Sequence, residues 1–191
     1  MAISAQMKAA CDRLKDKALK DLQDAQHVEV GIVDDPEIAQ YATYQEYGWV
    51  QKVTAKQELW FRHQGLGAMA PNQGSMLTLP PRPFLRSTMQ VEGHKWSELF
   101  AKAVQMSSSV SYGLQMVGLT AVADIKKTIA TGGTSEETFE PRAPLTMQLY
   151  SGQAAGHQTD GTGNLSVTKP LVRTGAMLNS IGFQLTGGDV E

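Results

Sequence analysis

The side chains best suited to hold a metal or move a proton near neutral pH are four histidines, His27, His63, His94 and His157. They fall in a predicted strand, an irregular excursion, a helix and a loop. No two have the i, i+4 spacing that sets a pair of imidazoles on one helix face, so a zinc site is not expected. Asp34, Asp35 and Glu37 form a local acidic cluster that could hold a divalent cation, yet a turn followed by a helix N-terminus accounts for them, because carboxylates favour that end of a helix. The run Gly65-Leu66-Gly67-Ala68-Met69-Ala70 lacks the preceding strand and following long helix that make a dinucleotide loop work. Thr131-Gly132-Gly133-Thr134 has no lysine to reach a phosphate and sits where a helix ends. No Gly-x-Ser-x-Gly elbow is present, and no serine is paired in sequence with a histidine and an acid. The match Asn164-Leu165-Ser166 to a glycosylation acceptor is a chance one for a chain expected in the cytoplasm. Cys11 has no second cysteine to pair with and reads as a small apolar residue. These residues lead to the expectation of a non-enzymatic protein with no cofactor and no metal.

The elements that position them follow from the apolar spacing of 191 residues, long enough for one domain with a real core. Hydrophobic residues make up 41% and charged residues 19%, as in ordinary globular chains, which excludes a disordered or collagen-like class. A net charge of -2 lacks the broad cationic footprint of a non-specific nucleic-acid binder. No run of about 18 apolar residues exists to span a bilayer, and no signal-peptide core opens the sequence, so no membrane partner is expected.

Met7, Ala10, Cys11, Leu14, Ala18, Leu22 and Ala25 recur at helical spacing and predict an amphipathic helix over Ser4–Ala25. Alternation at Val28, Val30 and Ile32 predicts a strand ending at the Asp34-Asp35-Pro36 turn. Pro36 suits the first position of a short helix capped by Asp35 and closed by Gly48. Trp49 to Thr54 reads as a strand, and the stretch on to Ser75 as an excursion, partly strand, ending in a loop. Met76, Leu77 and Leu79 predict a brief strand stopped at Pro80, where three prolines remove donors and enforce an extended path. One long helix then runs to about Met106, weakened at Gly93 and interrupted by the serines at 107–109. A second runs from about Val110 to Ala130 with a glycine C-cap. Residues 134–168 lose periodicity and are expected to be a flexible or partner-ordered loop, Gly-rich over 151–164. Leu171 to Leu178 reads as a short helix and Ile181, Phe183 and Leu185 as a last strand. The expected fold is a single α+β domain over 1–191, with a small antiparallel or mixed sheet, an N-terminal helix and two long consecutive helices packed against the sheet.

Three segments, in order, resemble the phage tail-completion and head-tail joining (neck) proteins, also described as virion morphogenesis proteins. The first is Val30-Gly31-Ile32, an acidic turn, and Ala39-Gln40-Tyr41-Ala42-Thr43-Tyr44-Gln45-Glu46-Tyr47-Gly48. The second is Leu79-Pro80-Pro81-Arg82-Pro83-Phe84-Leu85-Arg86. The third is Lys169-Pro170-Leu171-Val172-Arg173-Thr174-Gly175-Ala176-Met177-Leu178-Asn179-Ser180-Ile181. Each is weak alone, and together they span most of residues 28 to 183. The excursion over 49–75 is longer than a minimal member needs.

The resemblance implies a virion protein at the head-tail junction, assembled in the host cytoplasm. It implies a homo-oligomeric ring that meets other neck and tail proteins and lets DNA through its lumen without sequence-specific binding. The Pro-Pro-Arg-Pro element is a stiff strap that suits either a subunit interface or a rigid lead-in to the helix. Interface residues expected on this basis are Tyr44, Tyr47, Arg82 and Arg86, with Gly152, His157 and Asn164 of the glycine-rich loop and Arg173. The alternatives are a tail terminator capping the tail tube and, from other classes, a monomeric binding module or an uncharacterised enzyme.

Overall fold

The computed structural model describes residue 13, residues 27–150, residue 171 and residues 175–187. Arg13 is helical, and the rest of the helix expected over Ser4–Ala25, Cys11 included, lies outside the described residues. The fold is α+β. Strand β1 (His27–Ile32) is followed by α1 (Pro36–Tyr47), β2 (Trp49–Lys52), α2 (Ala55–His63), a 3-10 turn at Gly67–Met69 and β3 (Met76–Leu79). The long helices α3 (Phe84–Ser107) and α4 (Val110–Thr131) come next, then α5 (Pro144–Tyr150), α6 (Ala176–Ser180) and β4 (Ile181–Thr186).

Instead of one sheet, the strands form two antiparallel pairs, β1 with β4 and β2 with β3. The β1–β4 register sets Val28 opposite Leu185, Val30 opposite Phe183 and Ile32 opposite Ile181, so one face of the ribbon is apolar throughout. Helix α4 covers that face. The close approach is made at Gly118, where any Cβ would run into the Phe183 ring. Below the ribbon Phe84, Ile125, Ile129, Phe139, Met177 and Ile181 form the main buried cluster, joined by Ala42 from α1.

Helices α3 and α4 form an antiparallel hairpin around the serines. Ser107 ends α3, Ser108 takes the left-handed conformation (φ 54), and the Ser109 hydroxyl accepts the Tyr112 N–H to cap α4. At the far end Gly132 (φ 79) is the glycine C-cap that the sequence predicts. Between the helices Thr88, fully buried, bonds the Thr128 hydroxyl at 2.7 Å, so both polar groups are satisfied inside the contact. Two glycines of these helices are of opposite kind. A Cβ at Gly93 meets nothing within 4 Å, so Gly93→Ala is expected to stabilise the protein by about 0.5–1 kcal/mol through the lost helix penalty. Gly118→Ala is expected to destabilise it by roughly 1–3 kcal/mol, because Phe183 must move out of a packed position. Thermal unfolding of the two variants side by side checks both signs.

Three segments differ from the sequence reading. The excursion contains a true helix, α2, in place of partial strand: Thr54 and Gln57 build a reciprocal capping box, with Thr54 N donating to Gln57 Oε1 at 3.0 Å and Gln57 N to Thr54 Oγ1 at 3.3 Å. Val53, Phe61 and Leu66 are buried within this excursion, away from the main cluster. Residues 144–150 of the expected loop are helical, Pro144 beginning the helix, while 151–168 lie outside the described residues. The short helix expected from Leu171 starts only at Ala176, because Leu171 (φ 70) and Gly175 (φ 75) both have left-handed backbone.

Glu58 ties α2 to the turn before β3, accepting from Gln73 N at 2.9 Å and from Arg62 Nη2 at 2.7 Å. The Gln73 N–H, and then the Arg62 guanidinium, hold its carboxyl below the ordinary glutamate value. A depressed folded value stabilises the protein above the unfolded pKa, and that stabilisation is lost as pH falls through the folded one. The Gln73 amide is therefore expected to lose protection relative to its intrinsic exchange rate in acid, below the usual glutamate range, in the native chain. In Glu58→Gln that acid-linked step disappears; hydrogen exchange followed against pH reads it.

Candidate functional site

The first two segments of the resemblance meet in space, and their contact is a clamp between the end of α1 and the start of α3. Three side chains on one face of α1, Ala42, Gln45 and Glu46, are buried. Burying an amide and a carboxylate requires partners, and the strap supplies them. Arg82 is only 3% exposed. Its Nη1 donates to Gln45 Oε1 at 3.0 Å, Nε to the Glu140 carbonyl at 2.8 Å and Nη2 to the Pro141 carbonyl at 3.1 Å. Its backbone N–H donates to the Gln45 carbonyl at 2.7 Å. Burial pushes the guanidinium below its usual pKa, although arginine keeps its charge at any physiological pH.

Two residues further on, α3 begins after Pro83, which has no side chain able to cap it. Its free amides are satisfied from another element. The Glu46 carboxylate, 3% exposed, accepts the Leu85 N–H at 3.0 Å and the Arg86 N–H at 3.1 Å. A negative group there also meets the positive end of the helix dipole. Arg86 closes the arrangement from outside, donating Nε to Glu46 Oε1 at 3.0 Å and Nη2 to the Glu46 carbonyl at 2.9 Å, with its guanidinium 4.5 Å from the Tyr47 ring centroid. Gly48 must let the chain turn away at once. It sits at φ 71, ψ 172, a conformation essentially reserved for glycine, and a Cβ there would lie 2.6 Å from the Leu79 carbonyl.

Beside the clamp is an open groove of about 320 Å³ between α1, the end of β1 and α3, floored by Ile32, Ala39, Ala42 and Leu85 and rimmed by Tyr47 and Arg86. Asp34 and Glu37, exposed at the α1 N-terminus, flank Ile32 and Ala39 in sequence; Asp35 alone caps the helix, accepting from Glu37 N at 3.1 Å and Ile38 N at 3.0 Å. No three of the described histidines, cysteines and acids gather to hold a metal ion. No described helix is long and apolar enough to cross a membrane.

Of the residues expected at an interface, Tyr47 (64% exposed) and Tyr44 (44%) lie on the surface, Tyr44 edge-on to Trp49 with ring centroids 6.5 Å apart. The Arg86 side chain is 55% exposed but engaged by Glu46. Arg82 is not a surface contact of the protomer: it is consumed inside, and of the two roles open to the strap its guanidinium takes the rigid lead-in. Gly152, His157, Asn164 and Arg173 lie outside the described residues. The sequence reading passed over Gln45 and Glu46. Their i+3 and i+4 spacing from Ala42 was the signal, since it puts two polar groups on the apolar side of an amphipathic helix.

Compared with protein families, curated proteins and solved structures, the chain matches none.

Proposed function

We propose that the chain is a non-catalytic structural protomer of a tailed-bacteriophage neck, a tail-completion or head-tail joining subunit. In this reading it forms a homo-oligomeric ring through which DNA passes, assembled in the host cytoplasm and carried in the virion between other neck and tail proteins. The observation that supports it most is the clamp. The segments that carry the resemblance interlock: Gln45 and Glu46 of the first hold Arg82, Leu85 and Arg86 of the second. Met177 and Ile181 of the third share the buried cluster with Ala42 and Phe84 of the other two. Motifs scattered by chance have no reason to interlock, whereas motifs that define one architecture do.

Such a protomer works by surface complementarity, with a rigid frame offering apolar and charged surface to neighbours. Electron micrographs of virions lacking this chain test the role. Full heads beside separate finished tails are expected. Tails of abnormal length would shift the assignment to a tail terminator, and normal infectious particles would remove the structural role altogether.

A further inference from the structure

Another concavity, of about 220 Å³, is lined by α1, the end of β3, the strap and the residues around the start of α5. Two buried arginines line it, Arg82 and Arg142, the second 8% exposed, and no aspartate or glutamate does. The three side-chain bonds of Arg82 end on neutral oxygens of Gln45, Glu140 and Pro141. They satisfy N–H groups but leave the charge without an ion pair among the described residues. Nη1 and Nη2 each give one of these bonds, and each carries a second N–H. Burial lowers the pKa of Arg82 most; Tyr41 and Glu140 oppose it, and the charge of the nearby Arg142 adds to it.

Holding guanidinium charge at a partly apolar wall costs free energy that a bound anion offsets. The rest of the lining suits an anion too. Thr78 and Thr146 belong to it, and neither hydroxyl makes a hydrogen bond among the described residues. Tyr41 and Trp49 give the cavity an aromatic side. Two cations at one cavity attract a doubly negative group more strongly than a singly negative one. A phosphate group meets that demand, because its several acceptor oxygens match planar guanidinium forks and hydroxyl donors together.

We propose that this cavity binds a phosphate group, free or as the head of a small monoester, held by the guanidinium groups of Arg82 and Arg142 with hydroxyl donors from Thr78 and Thr146. The anion ties α1 and the strap to the segment that enters α5. The buried charge of Arg82 then has a task beyond fastening the strap. The site is independent of the ring, and a monomeric chain would bind in the same way.

The test is calorimetric titration of the full chain with inorganic phosphate and, separately, with phenyl phosphate, in chloride buffer at constant ionic strength. A dissociation constant below about 1 mM is expected for at least one of them. Phenyl phosphate bound more tightly than phosphate assigns a monoester, its ring lying against Tyr41 and Trp49; equal or weaker binding assigns free phosphate. Two variants locate the site. Arg142→Gln removes one cation, and Ala143→Glu keeps both arginines but brings a competing carboxylate to the cavity wall. Each is expected to bind roughly 10-fold more weakly or worse. Circular dichroism verifies the fold. Arg142 is buried, so its loss endangers folding as well as binding, whereas Ala143 is exposed and its variant carries the test alone if the other does not fold. A native chain that binds neither probe up to about 10 mM overturns the proposal, as does native-like binding by either folded variant.

Discussion

Replacing Arg82 by alanine is expected to lower the unfolding free energy by about 4 kcal/mol. The guanidinium satisfies the Gln45 side chain and the Glu140 and Pro141 carbonyls from one buried position. Its removal orphans the buried Gln45 acceptor and the two part-buried carbonyls, at about 1–3 kcal/mol for a buried acceptor, and leaves a gap where the side chain was. Arg82→Lys is expected to recover no more than about half. An ammonium is a single point on a flexible stem and cannot imitate the planar fork that spans three separate acceptors. Urea titrations of the native chain and both variants check the order. A loss below about 1 kcal/mol for Arg82→Ala would mean that the carbonyls of 140 and 141 find solvent, and the strap would not be the internal fastener described above.

The second large effect is expected at Glu46, where alanine should cost about 3 kcal/mol. Two helix amides lose their acceptor, and the N-terminus of α3 loses the anion lying on its dipole. Glu46→Gln keeps an acceptor oxygen of the same shape and is expected to cost about half as much. Arg86→Ala separates the cap from the ion pair. Since the arginine side chain is 55% exposed, its pair with Glu46 is worth only about 1 kcal/mol, so Arg86→Ala should be much the milder change. If Arg86→Ala equals Glu46→Ala, the salt bridge rather than the cap carries the energy. Denaturant unfolding of the three variants decides it.

Most of the frame was legible because it is local. Asp35 before Pro36 announces α1, Gly48 its end, Gly132 the end of α4, and the alternation at Val28, Val30 and Ile32 the strand. Each depends on dihedral preference or periodicity within a few residues, which a sequence displays directly. Helix α2 was missed because Gly65, Gly67 and Pro71 dominate the composition of its neighbourhood, while its start rests on a two-residue reciprocity between Thr54 and Gln57. The clamp was half legible. The strap showed its stiffness in its prolines, but where Arg82 points depends on Gln45, 37 positions earlier, and on carbonyls 58 and 59 positions later. Such pairings belong to the tertiary structure, and a lone sequence gives no direct measure of them. Among the interface residues, exposure at Tyr47 follows from its place on the helix, whereas the burial of Arg82 reverses the usual surface habit of an arginine.

The β1–β4 ribbon has a further consequence, in time rather than in space. Helices α3 and α4 meet across a serine turn and can dock within moments of their synthesis, since almost no chain must be closed. Glu29 and Gln184, joined side chain to side chain across the ribbon, are 155 positions apart. Closing a loop of that size costs about 4–5 kcal/mol of chain entropy before any strand contact repays it. While residue 184 is still inside the ribosome, β1 has already emerged without its neighbour and its edge is open. The apolar face made by Val28 and Val30 is then covered only by what α4 can reach. Folding therefore finishes at the last strand, and the interval before it is when a nascent chain would profit most from a chaperone.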